Sequence, residues 1–424
     1  MIKGATKVPK FVWRAVVLSF LLQVVAIGVA HTYRFRTTDN HFAFGWEMGC
    51  IGRALALGRG FSDPFCVSSG PSAWEPPAYP YLIGATFKVL GIYSNASAWT
   101  LLTINCLFSA LNCAFIFLIA RKIFGDKVAR CSVWAWALLP YTWYWSVHWV
   151  WDTTISPMFL SAVVWIAVEL EEWEGLRGWV FFGLLWGFIA LLNPSLLSFL
   201  LVCGLWVWYR RSKKGKPSIP GIGLASLLFV LCISPWLMRN YEAFGRFVFI
   251  RDDFGQQLRL GNGPGAKGVS MVYLQPNLNP AELDRFRAMG ELPYAEERKR
   301  EAVEFIKESP SRFLGLSLKR FVYYWVGIPK ADDPLVVAVL RNAAFLLSSV
   351  LALWGLIRAL RHQQSGAWLL GLLVLSYPAV YYFVYAHARY RHPIEPELII
   401  LIVYCILNFK GRIASSSQNE PAKV

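Results

Sequence analysis

The chain has 424 residues, of which 56% are hydrophobic and 16% charged, and its formal net charge is +16. A soluble protein of this size would carry about a quarter charged residues, so a bilayer is the solvent for much of this one. The basic excess does not point to nucleic acid, because Lys and Arg stand in short clusters beside apolar runs, where topology puts them.

The first apolar run, Phe11 to Ala30, follows Lys3, Lys7, Lys10 and Arg14. His31-Thr32-Tyr33-Arg34 comes next instead of a small-residue cleavage site, so residues 1–30 read as a tail and a retained signal-anchor helix. On the rule of roughly 20 apolar residues per crossing, about ten segments can span, centred near residues 20, 110, 138, 161, 185, 202, 229, 347, 376 and 401. The stretch Pro77 to Ile92 is short and carries Lys88. If it spanned, the clusters Arg121 to Arg130 and Arg210 to Lys216 would lie outside, against the positive-inside bias. It is therefore expected to be a helix at the outer interface.

This scheme divides the chain into the tail and first helix (1–30), a first outer loop with juxtamembrane helices (31–98) and a membrane core (99–238). A central outer loop (239–334), C-terminal membrane helices (335–410) and a cytoplasmic tail (411–424) follow. Glu169, Glu171, Glu172 and Glu174 are the acidic exception on the cytoplasmic side. Within the central loop, 251–280 is rich in Gly, Pro and Asn and reads as turns, whereas 281–318 has a helical pattern and includes an amphipathic helix on the membrane surface. Six of the eight cysteines lie in apolar runs; Cys50 and Cys66 fall in the first outer loop, where spacing alone does not decide whether they pair.

The first outer loop holds Asp39, His41, Glu47, Arg53, Asp63 and Glu75 among Trp46, Phe61 and Trp74. Glu47 and Ile51 share a helical face with Leu55 a turn on, which puts a carboxylate at the edge of an apolar stripe; the structural alternative is a surface acid favoured at a helix start. Asp152, just before an apolar helix, is either an N-cap or an acid, base or metal ligand. Arg239-Asn240 ends an outer helix, and Asn193-Pro194-Ser195 divides two apolar halves at the outer face. His387-Ala388-Arg389-Tyr390-Arg391-His392-Pro393 joins two apolar helices with little loop. Its arginines would hold a phosphate through forked hydrogen bonds, or snorkel to headgroups. There is no P-loop, no metal-type His/Cys spacing and no nucleophile elbow.

Phe44-Gly45-Trp46-Glu47 through Gly58-Arg59-Gly60-Phe61-Ser62-Asp63-Pro64-Phe65, then Trp74-Glu75-Pro76-Pro77-Ala78-Tyr79-Pro80, resemble the GT-C membrane glycosyltransferases. So do Pro235-Trp236-Leu237-Met238-Arg239-Asn240 with Gly261-Asn262, and Arg389-Tyr390-Arg391-His392-Pro393-Ile394-Glu395-Pro396. The nearest likeness is to bacterial relatives of the protein O-mannosyltransferases and aminoarabinose transferases, of the glycosyltransferase 39 type. The resemblance implies an all-α, GT-C-like polytopic bundle in the bacterial inner membrane, with its site facing the periplasm. It implies a polyprenyl-phosphate-sugar donor and a lipid, glycan or protein acceptor, with membrane lipids as the surroundings. An acid of the first outer loop would be the general base; the family's adjacent acid pair is absent, leaving Asp39 or Glu47, with Glu47 preferred because it opens the better helical segment. Asp152 matches the second outer acid of the fold. Arg53, Glu75, Arg239, Asn240, Arg389, Tyr390, Arg391 and His392 are the expected substrate-binding residues. The resemblance settles no cofactor, and a divalent cation is admitted without assigned ligands. A transporter of lipid-linked sugars is the competing reading.

Overall fold

The computed structural model describes residues 7–35, 42–329 and 334–408; Asp39 and the 411–424 tail lie outside them. Among the described residues there is no strand, only an isolated antiparallel bridge between Ser62 and Pro71. After α1 (Lys10–Val29) come α2 (Glu47–Ala56) and α3 (Ala78–Leu90), the helices of the first loop. The core follows as α4 (Asn95–Phe124), α5 (Asp126–Leu138), α6 (Pro140–His148), α7 (Ser156–Leu170), α8 (Arg177–Leu192), α9 (Leu197–Lys213) and α10 (Ile219–Phe244). The central loop holds α11 (Phe254–Gly261), α12 (Pro280–Met289), α13 (Glu291–Glu308) and α14 (Pro310–Val326). The chain returns to apolar helices with α15 (Leu335–Arg361), α16 (Ala367–Ser376), α17 (Ala379–Phe383) and α18 (Glu395–Leu407).

Each of the ten apolar segments is helical. By length and composition α1, α4, α10 and α15 can cross a membrane, and 156–170, 177–192 and 367–383 are shorter apolar helices. The segment near residue 138 is two helices, because Pro140 cannot donate a hydrogen bond into α5 and instead opens α6. α3, with 13 residues, is about 20 Å long against a hydrocarbon core of about 30 Å.

The turn-rich reading of 251–280 needs correction, since that stretch contains α11. Its glycines serve close packing: a Cβ at Gly255 would lie 2.0 Å from the Ala295 carbonyl oxygen, and one at Gly261 would lie 1.6 Å from that of Val384. α14 exposes Leu314, Leu318, Phe321 and Val322, a stripe suited to lipid. Its buried Arg320 donates to the carbonyls of Gly261, Tyr382 and Phe383.

The acidic loop between α7 and α8 is explained by its neighbours. Lys122 reaches Glu172 at 2.8 Å and Glu169 at 3.6 Å, while Arg210 and Lys214 reach Glu171 at 2.6 and 2.9 Å. These acids are the counter-charge of two basic clusters gathered at one end of the bundle. The elements of the first and central loops assemble with one another elsewhere. Cys50 and Cys66 form a disulfide, Phe65 and Trp74 pack on Phe286 and Tyr294, and Arg239 donates to the carbonyls of Phe61 and Ser72, each at 2.6 Å.

Candidate active site

A cavity of about 490 Å³ opens where α2, the 151–153 turn, the 193–198 turn, the 249–257 segment and the 380–390 hairpin meet. Glu47 enters it as the first residue of α2. The turn before it is held by rings: Phe42 packs edge-on against Trp46 at 4.6 Å and Trp149 at 5.0 Å, and Trp46 lies 6.4 Å from Trp151. Trp46 itself has φ of 45°, a left-handed conformation that a non-glycine residue keeps only where its surroundings enforce it. Asp152 begins a 3-10 turn, Asp152–Thr154. The N-cap of α7 is Ile155, with no side-chain bond, so the capping role that the sequence allowed for Asp152 is not the one its carboxylate plays; the carboxylate lines the cavity.

Burial dominates the electrostatics. It pushes the Glu47 carboxyl up to about 7, against the pull of its own amide and of Arg389. It pushes Asp152 up to about 6, opposed by Arg389 and Arg251, and raises Glu75 well above the ordinary carboxylate range. Arg251 is held between acids: it lies 3.6 Å from Glu75 and donates to both Asp253 oxygens. Burial works against its charge, but Asp253 and Glu75 hold it above the usual guanidinium value. Arg389 lies over the Trp151 ring, and its Nε has no hydrogen-bond partner.

The cavity therefore brings together Glu47, Glu75, Asp152, Arg389 and Tyr390 of the expected residues. Arg53, in the last turn of α2, does not line it. Nor do Arg239 and Asn240, which bind backbone: the Asn240 amide donates to the carbonyls of Val248 and Ile250. Arg391 and His392 also need correction as direct phosphate ligands. Arg391 pairs with Glu395 at 2.7 Å and donates to Ser348 and Ser349, and His392 is buried with its ring stacked on Trp136.

Sequence reasoning missed Arg251, Asp253 and a set of hydroxyls and amides. Tyr390 donates to the Tyr385 hydroxyl at 2.9 Å, which donates to Gln257 Oε1 at 2.7 Å. Tyr381 donates to Ser195 Oγ at 2.9 Å, which donates to Asn193 Oδ1 at 2.5 Å. The charged triplet Arg251-Asp252-Asp253 after the apolar Phe247 to Ile250 was the available signal. Among the described residues no three His, Cys, Asp or Glu side chains converge as a metal site requires, so the admitted divalent cation has no ligand set among them.

Oriented hydroxyls and amides, buried acids and two arginines in one cavity at the mouth of a helical bundle suit a phosphorylated polyol. Solved structures give the bundle its class. The archaeal oligosaccharyltransferase AglB from Archaeoglobus fulgidus, in complex with an inhibitory peptide and a dolichol-phosphate, matches with TM-score 0.51 and 12% identity over 98% of this chain and 53% of that one. The Archaeoglobus fulgidus oligosaccharyltransferase in complex with Zn and sulfate matches with TM-score 0.54 and 13% identity over 95% and 50%. ArnT from Cupriavidus metallidurans, bound to undecaprenyl phosphate, has 14% identity over 96% and 81%, with TM-score 0.42. The protein is a polytopic helical membrane protein of the GT-C fold, assigned on the two oligosaccharyltransferases. Its residues 74–238 match the model of the dolichyl-phosphate-mannose-protein mannosyltransferase family. The chain spans about half the length of the two oligosaccharyltransferases, and no curated protein matches it.

Proposed function

We propose that this protein is a membrane glycosyltransferase that transfers a sugar from a polyprenyl-phosphate donor to an acceptor hydroxyl on a lipid, glycan or protein, with inversion. The observation that carries this reading is the pairing in one cavity of Glu47, a buried carboxyl titrating near 7, with Arg389, a guanidinium whose Nε is unpartnered. An acid poised there is half ionised at neutral pH, as a general base requires. Glu47 takes the proton of the acceptor hydroxyl while its oxygen attacks the anomeric carbon. The bond from that carbon to the phosphate oxygen breaks, and both electrons leave with the polyprenyl phosphate. Arg389 and Arg251 stabilise the charge gathering on the leaving phosphate, Asp152 orients the acceptor, and the Tyr385, Gln257, Ser195 and Asn193 groups bind sugar hydroxyls. Arg239 and Asn240 act by holding the Phe61, Ser72, Val248 and Ile250 backbone in place, and Arg391 and His392 by fixing the hairpin against α15 and α5.

The same reading puts the protein in the inner membrane of a bacterium, with the cavity on the periplasmic side. Support comes from the basic end of the bundle, expected in the cytoplasm, and from the Cys50–Cys66 disulfide, which suits an oxidising compartment. The matches named for the fold and for residues 74–238 are to lipid-phosphate-dependent transferases and lend the transporter alternative no support. The test is incubation of the purified protein with a polyprenyl-phospho-sugar and an acceptor extract: release of polyprenyl phosphate by the native protein and not by Glu47→Gln is expected. Movement of intact donor across vesicles without bond cleavage would overturn the enzyme reading.

A further inference from the structure

Two carboxyls are buried against each other directly behind the cavity wall. Asp252 stands between the lining residues Arg251 and Asp253, and Glu291 is the first residue of α13. Their side chains lie within hydrogen-bonding reach of each other. Glu291 is 7% exposed; its Oε1 accepts from the Ala73 amide at 2.5 Å, and its Oε2 has no partner. Neither carboxyl oxygen of Asp252 has a partner outside the pair. The Asp252 amide donates to the Ala73 carbonyl at 3.0 Å, so Ala73 touches both members.

Burial outweighs the neighbouring positive charges at both members of the pair. Arg251 and Asp253 face Asp252 from its own segment, but Arg251 is engaged by Asp253 and Glu75. Arg239 of α10 faces Glu291 and favours its ionised form, while its guanidinium donates to the carbonyls of Ser72 and Phe61. The 71–75 segment adds the Ser72 hydroxyl and, two residues past Ala73, Glu75. Two unpaired carboxylates cannot both stay ionised in such a place. One shared proton turns the conflict into a charge-assisted hydrogen bond. Burial raises both groups in keeping with this, Asp252 to about 7.

We infer that Asp252 and Glu291 share one proton and form a positioning pair, clasping α13 to the two segments that carry Glu75, Arg251 and Asp253 into the cavity. The inference rests on the proposed transferase reading only for its consequence in turnover. Loss of the proton sets two negative charges in contact, so the wall is held at lower pH and loosens as pH rises through the titration of the pair. Turnover then has two limbs: a rise as Glu47 ionises and an alkaline fall as the clasp opens.

The test has two arms. In the first, hydrogen exchange at the start of α13 is followed from pH 6 to 9 in the purified full-length protein, with no substrate. Protection, taken as the observed rate relative to the intrinsic base-catalysed rate of each amide, should fall with pH in the native protein and stay flat in Asp252→Asn, whose amide donates to Glu291 without titrating. Glu291→Gln is the mirror variant if Asp252→Asn does not fold. In the second, the alkaline limb of polyprenyl-phosphate release should move up by at least about one unit in Asp252→Asn while the acidic limb stays. Absence of turnover in every protein, with the exchange pattern intact, would sink the transferase reading and leave the clasp standing. Exchange profiles that superimpose for native and variant would overturn the clasp. So would alkaline protection that calcium confers and a chelator removes, because the pair would then hold a cation in place of a proton.

Discussion

The guanidinium carbon of Arg389 lies 3.9 Å from the centroid of the Trp151 ring, one residue before Asp152. A flat cation stacked on an indole loses little of its remaining freedom when it binds phosphate, and lysine cannot reproduce that geometry. Arg389→Lys should therefore lower the rate of polyprenyl-phosphate release by about 10²-fold or more with the thermal midpoint nearly unchanged, and Trp151→Phe should fall between it and the native protein. Native turnover in Arg389→Lys would remove this arginine from the phosphate site.

Glu47 supplies the second prediction. A base works ionised, so turnover should rise as pH increases through about 7, where burial places its titration. Glu47→Gln should lose about 10²- to 10⁴-fold in rate, the range for a general base. Stability moves the other way. A carboxyl raised from 4.5 to about 7 favours the fold in its neutral form, so its contribution is full below 4.5 and disappears as pH climbs through 7. Thermal midpoints between pH 5 and 8 should fall more steeply in the native protein than in Glu47→Gln. If Glu47→Gln stays active and Asp39→Asn does not, the base is Asp39.

The residues legible in the sequence were those whose charge stood against an apolar background: Glu47, Glu75, Asp152 and Arg389 all line the cavity. What could not be read was direction. Arg389 and Arg391 sit two residues apart in one 3-10 stretch, Ala388–Ile394, yet only the first lines the cavity, while the second turns to Glu395. Spacing on an assumed loop cannot separate them. Arg251 and Asp253 were hidden because glycines beside them looked like turns, whereas Gly255 and Gly261 permit a helix to pack closely. The ten apolar segments were readable because the requirement that a bilayer imposes on backbone hydrogen bonding leaves few alternatives to helix.

The third prediction concerns how α2 is held. A Cβ added at Gly52 would sit 2.5 Å from Ile83 Cγ2 on α3, and one at Gly84 would sit 2.8 Å from Leu55 Cβ. Gly52→Ala must push α2 off α3 and displace Glu47, which opens that helix. Overpacking of this kind destabilises by about 1–3 kcal/mol, read as a lowered thermal midpoint, and turnover should drop further than the midpoint explains. Ile83→Ala on top of Gly52→Ala removes the Cγ2 clash and leaves only Ile83 Cβ at 2.9 Å, so it should restore part of both. Failure of that rescue would mean that the contact does not govern where α2 lies.

The last prediction decides sidedness. Lys88 on α3 and Lys127 on α5 are both exposed, and the charge reading puts them on opposite sides of the membrane. Lys127 belongs to the basic stretch from Arg121 to Arg130, whose Lys122 is counter-charged by Glu169 and Glu172, and that end is expected in the cytoplasm. Lys88 follows the segment tied by the Cys50–Cys66 disulfide. In intact cells a membrane-impermeant thiol reagent should label Lys88→Cys and spare Lys127→Cys, and lysis should expose the second. The converse pattern would turn the molecule over and put the cavity, with its proposed lipid-phosphate chemistry, in the cytoplasm, where the Cys50–Cys66 disulfide would have to be explained anew.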